Sequence, residues 1–242
     1  MPSPLHPEPH LPPGFLMPTQ ANGSNLLLQG VTVLVVEDSR YACEALRLIC
    51  QRAGARLRRA DTLQAARAHL RVYRPDVAII DLGLPDGRGE ALIRDLVLGQ
   101  RRPMVILGTS GNPAGRGLAL AAGADGFLDK PLESFAKFCQ TLRKHLPGMD
   151  EGPVVDAAIM PDPLALQDDL SHAAEALSGQ PDAAGRRYVT GFLLGLAQHA
   201  HDTALAAAAS EAGTANSGVG LDRLRHMVDS RIAQPQVTVF GD

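Results

Sequence analysis

From residue 31 to about residue 146, short apolar runs alternate with amphipathic stretches. Val31–Val36, Ala55–Ala60, Val77–Ile80, Met104–Leu107 and Gly126–Leu128 have strand length, and the second is less apolar, as an edge strand should be. Between them, apolar positions recur at helical spacing. Ser39–Ala53 carries Ala42, Ala45, Leu46, Ile49, Cys50 and Ala53 on one stripe, and Gly54 is placed to end it. Thr62–Val72, Glu90–Leu98 and Leu132–Leu146 follow the same rule, the last with Phe135, Phe138, Cys139, Leu142 and Leu146 inward. A fourth helix within Ala114–Ala122 is weakened by Gly115 and Gly117. This alternation predicts βαβ units: an α/β fold with a five-stranded parallel sheet.

After Pro147 and Gly148 the pattern changes. Residues 148–163 hold three prolines and two glycines and read as a linker, in which Val154 and Val155 are candidates to dock on something. Residues 164–242 form an alanine-rich, all-α region. Its predicted helices are Leu164–Leu177, one or two over Ala183–Glu211, and Leu221–Ala233, with Thr214–Gly220 as the last turn. The first 28 residues contain seven prolines and no basic residue, and are predicted to be a disordered leader ahead of a domain spanning 29–147.

Charge separates the two regions. Residues 1–150 carry 18 Lys+Arg against 14 Asp+Glu, and residues 151–242 carry 5 against 12. An acidic rear region without lysine is a poor partner for nucleic acid, whose binding depends on neutralising phosphates. The leader lacks a basic signal-peptide start and no apolar run is long enough to span a bilayer, so a cytoplasmic protein is expected. Cys43, Cys50 and Cys139 have no metal-type spacing and read as reduced core thiols.

The candidate chemistry sits at strand ends. Glu37 and Asp38 close the first apolar run, Asp81 follows the third and Lys130 the fifth. Ligand crevices in open parallel sheets lie outside the carboxyl ends of the strands, so these groups are expected to face one another. Three clustered carboxylates repel, and a hard divalent cation relieves that repulsion. Mg²⁺ accepts carboxylates, keeps several waters and is completed by phosphate oxygens. It would make Asp81 a usable nucleophile toward phosphorus, with the Lys130 ammonium and the hydroxyl of Thr109 or Ser110 facing the transferred group.

The runs Val-Leu-Val-Val-Glu-Asp, Ile-Ile-Asp-Leu-Gly-Leu-Pro-Asp-Gly-Arg-Gly, Ile-Leu-Gly-Thr-Ser-Gly and Gly-Ala-Asp-Gly-Phe-Leu-Asp-Lys-Pro-Leu resemble the receiver domain of two-component response regulators over residues 31–147. The resemblance implies a flavodoxin-like, doubly wound fold. It implies Asp81 as phosphoacceptor, Glu37, Asp38 and the backbone carbonyl of Gly83 as further Mg²⁺ ligands, Lys130 as the phosphoryl-holding cation and Phe127 as the switch aromatic. A sensor histidine kinase or histidine phosphotransfer protein would be the donor. Ser110, followed by Gly111, suits the family's hydroxyl position better than Thr109. The stretch from that hydroxyl to Lys130 is about one residue shorter than usual, on the side of helix four.

Blander readings exist for single residues. Asp38 could be only a helix N-cap, Phe127 only a core anchor, and the arginines at 52–74 only a solvated face. A related phosphatase would carry a second aspartate two residues after Asp81, where Gly83 stands. His172, His199 and His201 lack a phosphotransfer signature, since His199 leads to Asp202-Thr203 and His201 to Ala204-Leu205. The rear region is expected to be a helical bundle that packs on the receiver or pairs with a second copy. An atypical helix-turn-helix with a seven-residue connection is the alternative.

Overall fold

The computed structural model describes residues 26–132, 134–146, 159–179, 181–214 and 218–233. Five strands, β1 (Thr32–Val36), β2 (Arg56–Ala60), β3 (Val77–Asp81), β6 (Val105–Ser110) and β7 (Gly126–Asp129), form a parallel sheet in the order β2-β1-β3-β6-β7. A small antiparallel pair, β4 (Gly83–Leu84) and β5 (Gly87–Arg88), intervenes after β3. The helices of this half are α1 (Arg40–Ala53), α2 (Leu63–Val72), α3 (Gly89–Leu98), α4 (Gly115–Ala121) and α5 (Phe135–Arg143).

Period-two alternation divides the core into two layers. Val33 and Val35 of β1, with Val77 and Ile79 of β3, meet Leu46, Ile49, Phe138 and Leu142 from α1 and α5. Leu34, Val36, Ala78 and Ile80 point the other way, against Ala66, Leu92, Ile93 and Ala119 from α2, α3 and α4. Winding reverses between β1 and β3, so Glu37, Asp38 and Asp81 flank the crevice created there.

Several boundaries differ from expectation. Of the predicted leader, residues 1–25 lie outside the described residues, while Leu26–Gly30 belong to the domain: Leu28 is buried and its amide donates to the Ala53 carbonyl at 2.8 Å. Leu28 fills the space above α1, which apolar content alone could not assign. β6 runs on to Ser110 because β7 continues its ladder, pairing Ser110 with Asp129. Ser39, not Asp38, caps α1, its hydroxyl accepting from the Ala42 amide at 3.0 Å. α5 starts later than predicted, capped by Ser134, whose hydroxyl accepts from the Lys137 amide at 3.1 Å.

Among its described residues the rear region holds four helices: α6 (Pro163–Ser178), α7 (Ala183–His199), α8 (Thr203–Thr214) and α9 (Gly218–Ile232). Of the one or two helices expected over Ala183–Glu211 there are two, parted at His201, whose φ is 54°, and Asp202 then accepts from the Leu205 amide at 2.9 Å. Arg231 of α9 fastens this corner by hydrogen-bonding Asp202. α9 begins three residues earlier than expected, so the connection after Thr214 is shorter than seven residues. Leu170, Leu177, Val189, Leu193, Leu196, Leu205, Leu224 and Val228 give the four helices a core of their own. The Val154-Val155 docking expectation falls outside the described residues, and Ile159 packs on the core beside α1 and α5.

Candidate functional site

The strand ends bring the predicted groups together. The Lys130 ammonium lies 2.7 Å from Glu37 Oε2 and 3.1 Å from Asp81 Oδ2, with side-chain exposures of 4%, 1% and 10% respectively. Glu37 Oε1 accepts from the Ser39 amide at 3.3 Å, and Asp81 Oδ1 accepts a long contact of 3.4 Å from the Gly83 amide. Arg59, reaching over from β2, donates to the Asp38 carbonyl at 2.9 Å and braces the turn that carries the acidic pair. The Lys130–Pro131 peptide is cis. Gly89 permits the loop to fold back on β3, since a Cβ there would lie 2.0 Å from the Asp81 carbonyl oxygen.

Oxygens of Glu37, Asp38 and Asp81 lie within 4.8 Å of one another. Burial, then repulsion from Asp81, pushes Asp38 up to about 6. Burial pushes Glu37 up to about 8 against the pull of Lys130, and the neighbouring Asp81 and Asp38 add to the rise. Burial alone would lower Lys130; Asp81 and Glu37 outweigh it and raise it above the usual lysine range. The two partners of the Glu37–Lys130 contact therefore pull unequally: the lysine is held charged, and one ammonium is too little for two buried acids and a half-buried third. Asp38 Oδ1 is buried with no hydrogen-bond partner. A hard cation fits this set, because it would neutralise the excess charge and take the orphaned oxygen.

The hydroxyl candidates occupy different places. Thr109 lies opposite Asp81 in the ladder, fully buried, with its hydroxyl unpartnered. Ser110 is partly exposed and accepts from the Asn112 amide at 3.1 Å. A Cβ on Gly115 would come within 2.7 Å of the Ser110 Cβ and 3.2 Å of the Phe127 ring, so Ser110 and Phe127 both pack closely against Gly115. Phe127 is buried, with the Arg116 guanidinium 5.2 Å from its ring centre.

Sequence reasoning missed three residues of the rear helices that reach this site. The Tyr188 hydroxyl donates to Asp38 Oδ2 at 2.7 Å. Asp169 accepts from the Ser39 hydroxyl at 2.7 Å and from the amides of Arg40 and Tyr41 at 2.9 and 3.0 Å, closing the N-terminus of α1. Gln198 donates to the Gly111 carbonyl at 2.9 Å. His199 is buried on α7, its Nδ1 3.0 Å from the Gly195 carbonyl, and burial lowers it to about 3, so its ring is neutral. No local motif marks any of these positions, which lie 87 to 150 residues from their partners.

A model described as the response regulator receiver domain matches residues 33–143, and residues beyond it match no family model. The chain is 35% identical over 142 residues to the KDP operon transcriptional regulatory protein KdpE of Escherichia coli K12, covering 57% of this chain and 59% of that protein. It is 32% identical over 116 residues to the response regulator GtcR of Aneurinibacillus migulanus, covering 47% and 48%. The chain thus spans about half the length of the curated relatives it matches. Among solved structures, the receiver domain of the sensor histidine kinase PA1611 from Pseudomonas aeruginosa PAO1, with magnesium in its active-site cleft, aligns at TM-score 0.44 and 25% identity, covering 48% of this chain and 97% of that one. The triad Glu37, Asp38 and Asp81 is typical of a receiver Mg²⁺ site.

Proposed function

With residues 33–143 forming a response regulator receiver domain, we propose that this chain accepts a phosphoryl group on Asp81 from a phosphohistidine, in a Mg²⁺-dependent reaction. The donor is a sensor histidine kinase or a histidine phosphotransfer protein. The observation that carries the reading is the strand-end constellation of three carboxylates around one buried ammonium, with an orphaned Asp38 oxygen.

An Asp81 carboxylate oxygen attacks phosphorus as the donor's N–P bond breaks, and the histidine leaves as a neutral imidazole once protonated. Glu37, Asp38, Asp81 and the Gly83 carbonyl would hold Mg²⁺, which when bound offsets the negative charge brought together in the transfer. Lys130 releases one carboxylate contact and takes up a phosphoryl oxygen. Ser110 donates its hydroxyl to another, and Phe127, packed beside it against Gly115, shifts with it; Thr109 is the alternative hydroxyl. The cysteines buried in the core suit a reducing compartment, the cytoplasm.

The rear helices carry the output as a change of protein–protein contact, with a partner or with a second copy. The acidic balance of residues 151–242 favours this over a DNA-binding helix-turn-helix, although the short α8–α9 connection removes one objection to the latter. Incubation with a small phosphodonor and Mg²⁺ should put an acid- and base-labile phosphate on the chain. Undiminished labelling of Asp81→Asn, or labelling that persists in excess EDTA, overturns the assignment. Salt-sensitive retention on DNA would favour the transcriptional reading.

A further inference from the structure

α7 crosses the face from which Asp81 must be reached. Tyr188, Gly195 and Gln198 lie seven and three residues apart, a spacing that keeps them on one side of the helix. Tyr188 meets Asp38 at the end of β1 and Gln198 meets Gly111 beyond β6. Between them a Cβ on Gly195 would lie 3.6 Å from the Lys130 ammonium beyond β7. A Cβ on Gly111 would come within 2.9 Å of the Gly195 Cα, so the two glycines let backbone approach backbone. α7 also touches β4, next to Asp81 in the chain. The volume in line with Asp81 that a phosphodonor needs is therefore the volume α7 occupies.

We propose that α6–α9 is a cover, built into the chain, over the phosphorylation site, and that the Tyr188 hydroxyl latches it through Oδ2 of the Asp38 carboxylate, whose other oxygen is the one left to Mg²⁺. A cation on one oxygen withdraws charge from the other and weakens it as an acceptor, so Mg²⁺ loosens the latch and favours the open, donor-accessible form. This rests on Asp81 being the acceptor and extends that reading to how access is regulated.

The packing permits such a movement. Among the described residues, the bundle's core draws only Tyr41 from the receiver, as a partly buried neighbour. The other described contacts across the boundary include hydrogen bonds and ion pairs: Asp169 with Ser39, Arg40 and Tyr41, Asp168 with Arg40, Tyr188 with Asp38, and Gln198 with Gly111. Opening hydrates these groups and leaves all three apolar cores intact, the condition under which domains separate readily. On either side of the boundary, Asp38 Oδ1 and Gln198 Oε1 are buried without partners, a cost that opening removes.

The test uses the full chain with Mn²⁺ in place of Mg²⁺, read by electron paramagnetic resonance. Tyr188→Phe, which removes one oxygen, should bind Mn²⁺ about tenfold more tightly than wild type. Gln198→Ala, which weakens the far end of α7 away from the acids, should tighten it by about threefold. Hydrogen exchange at the Arg40 and Tyr41 amides, protected by Asp169, should accelerate on adding Mg²⁺ to wild type. Wild-type Mn²⁺ affinity in both variants, or Mg²⁺-independent exchange at these amides, overturns the cover. Opened variants that bind Mn²⁺ as expected but take no label on Asp81 would overturn the acceptor reading and leave the cover standing.

Discussion

Asp169→Ala is the sharpest perturbation of the contact between the two halves. The Asp169 carboxylate is buried, and burial raises its pKa, while three donors from the start of α1 converge on it and oppose that rise. A hydrogen bond to a charged group contributes roughly 1.5–3 kcal/mol, part of which here offsets the cost of burying the carboxylate. Alanine removes both that cost and the acceptor, leaving the Arg40 and Tyr41 amides facing a methyl group. A net loss of about 3 kcal/mol in docking follows, or about a hundredfold in the ratio of docked to undocked molecules. Asp169→Asn keeps one acceptor oxygen and should lose about half as much. Hydrogen exchange at Arg40 and Tyr41 reads docking directly, and urea unfolding reads its share of global stability. Protection at both amides unchanged in the alanine variant would refute the claim that Asp169 fastens the bundle to α1.

Two further outcomes follow from the charges and the cores. Glu37 sits at about 8 in the folded chain against an ordinary 4.5, so its stabilising contribution is complete below about 4.5 and is lost as pH rises toward 8. Asp38 and the buried His199 titrate, with opposite effects, below about pH 6.5, so urea midpoints in EDTA should fall between about pH 6.5 and pH 8, by at most about 1.4 kcal/mol per pH unit, and Mg²⁺ should reverse the fall; a rise over that window would contradict the site's electrostatics. Leu193→Ala, at the fully buried centre of the α6–α9 core, should cost about 2–5 kcal/mol. Exchange should then rise along α7 while β3 amides such as Ile79 stay protected, and simultaneous exchange of both would show a single shared core.

The receiver half was legible because its signals are local. Val33, Leu34, Val35 and Val36 alternate between two layers, and a strand buried on both faces reads as a continuous apolar run. Glu37, Asp38, Asp81 and Lys130 each follow such a run, so parallel topology alone brings them together. The β4–β5 pair was not visible, since two-residue strands carry no period. Nor could the bundle's docking be read. Tyr188 looks like any amphipathic helix residue until Asp38 stands opposite, and Gly111 looks like an ordinary loop glycine until the α7 backbone at Gly195 requires its smallness. Polar complementarity between distant segments has no period and no spacing rule.

The hydrogen bond from Tyr188 to Asp38 has a thermodynamic consequence for whatever binds the rear helices. A phenol and a cation that draw on one carboxylate are linked, and linkage runs equally in both directions. A partner that holds α7 away from the receiver must strengthen metal binding by the same factor by which the metal weakens docking. The molecule reading the signal thus also acts on its source, and its abundance would set how readily the acceptor loads.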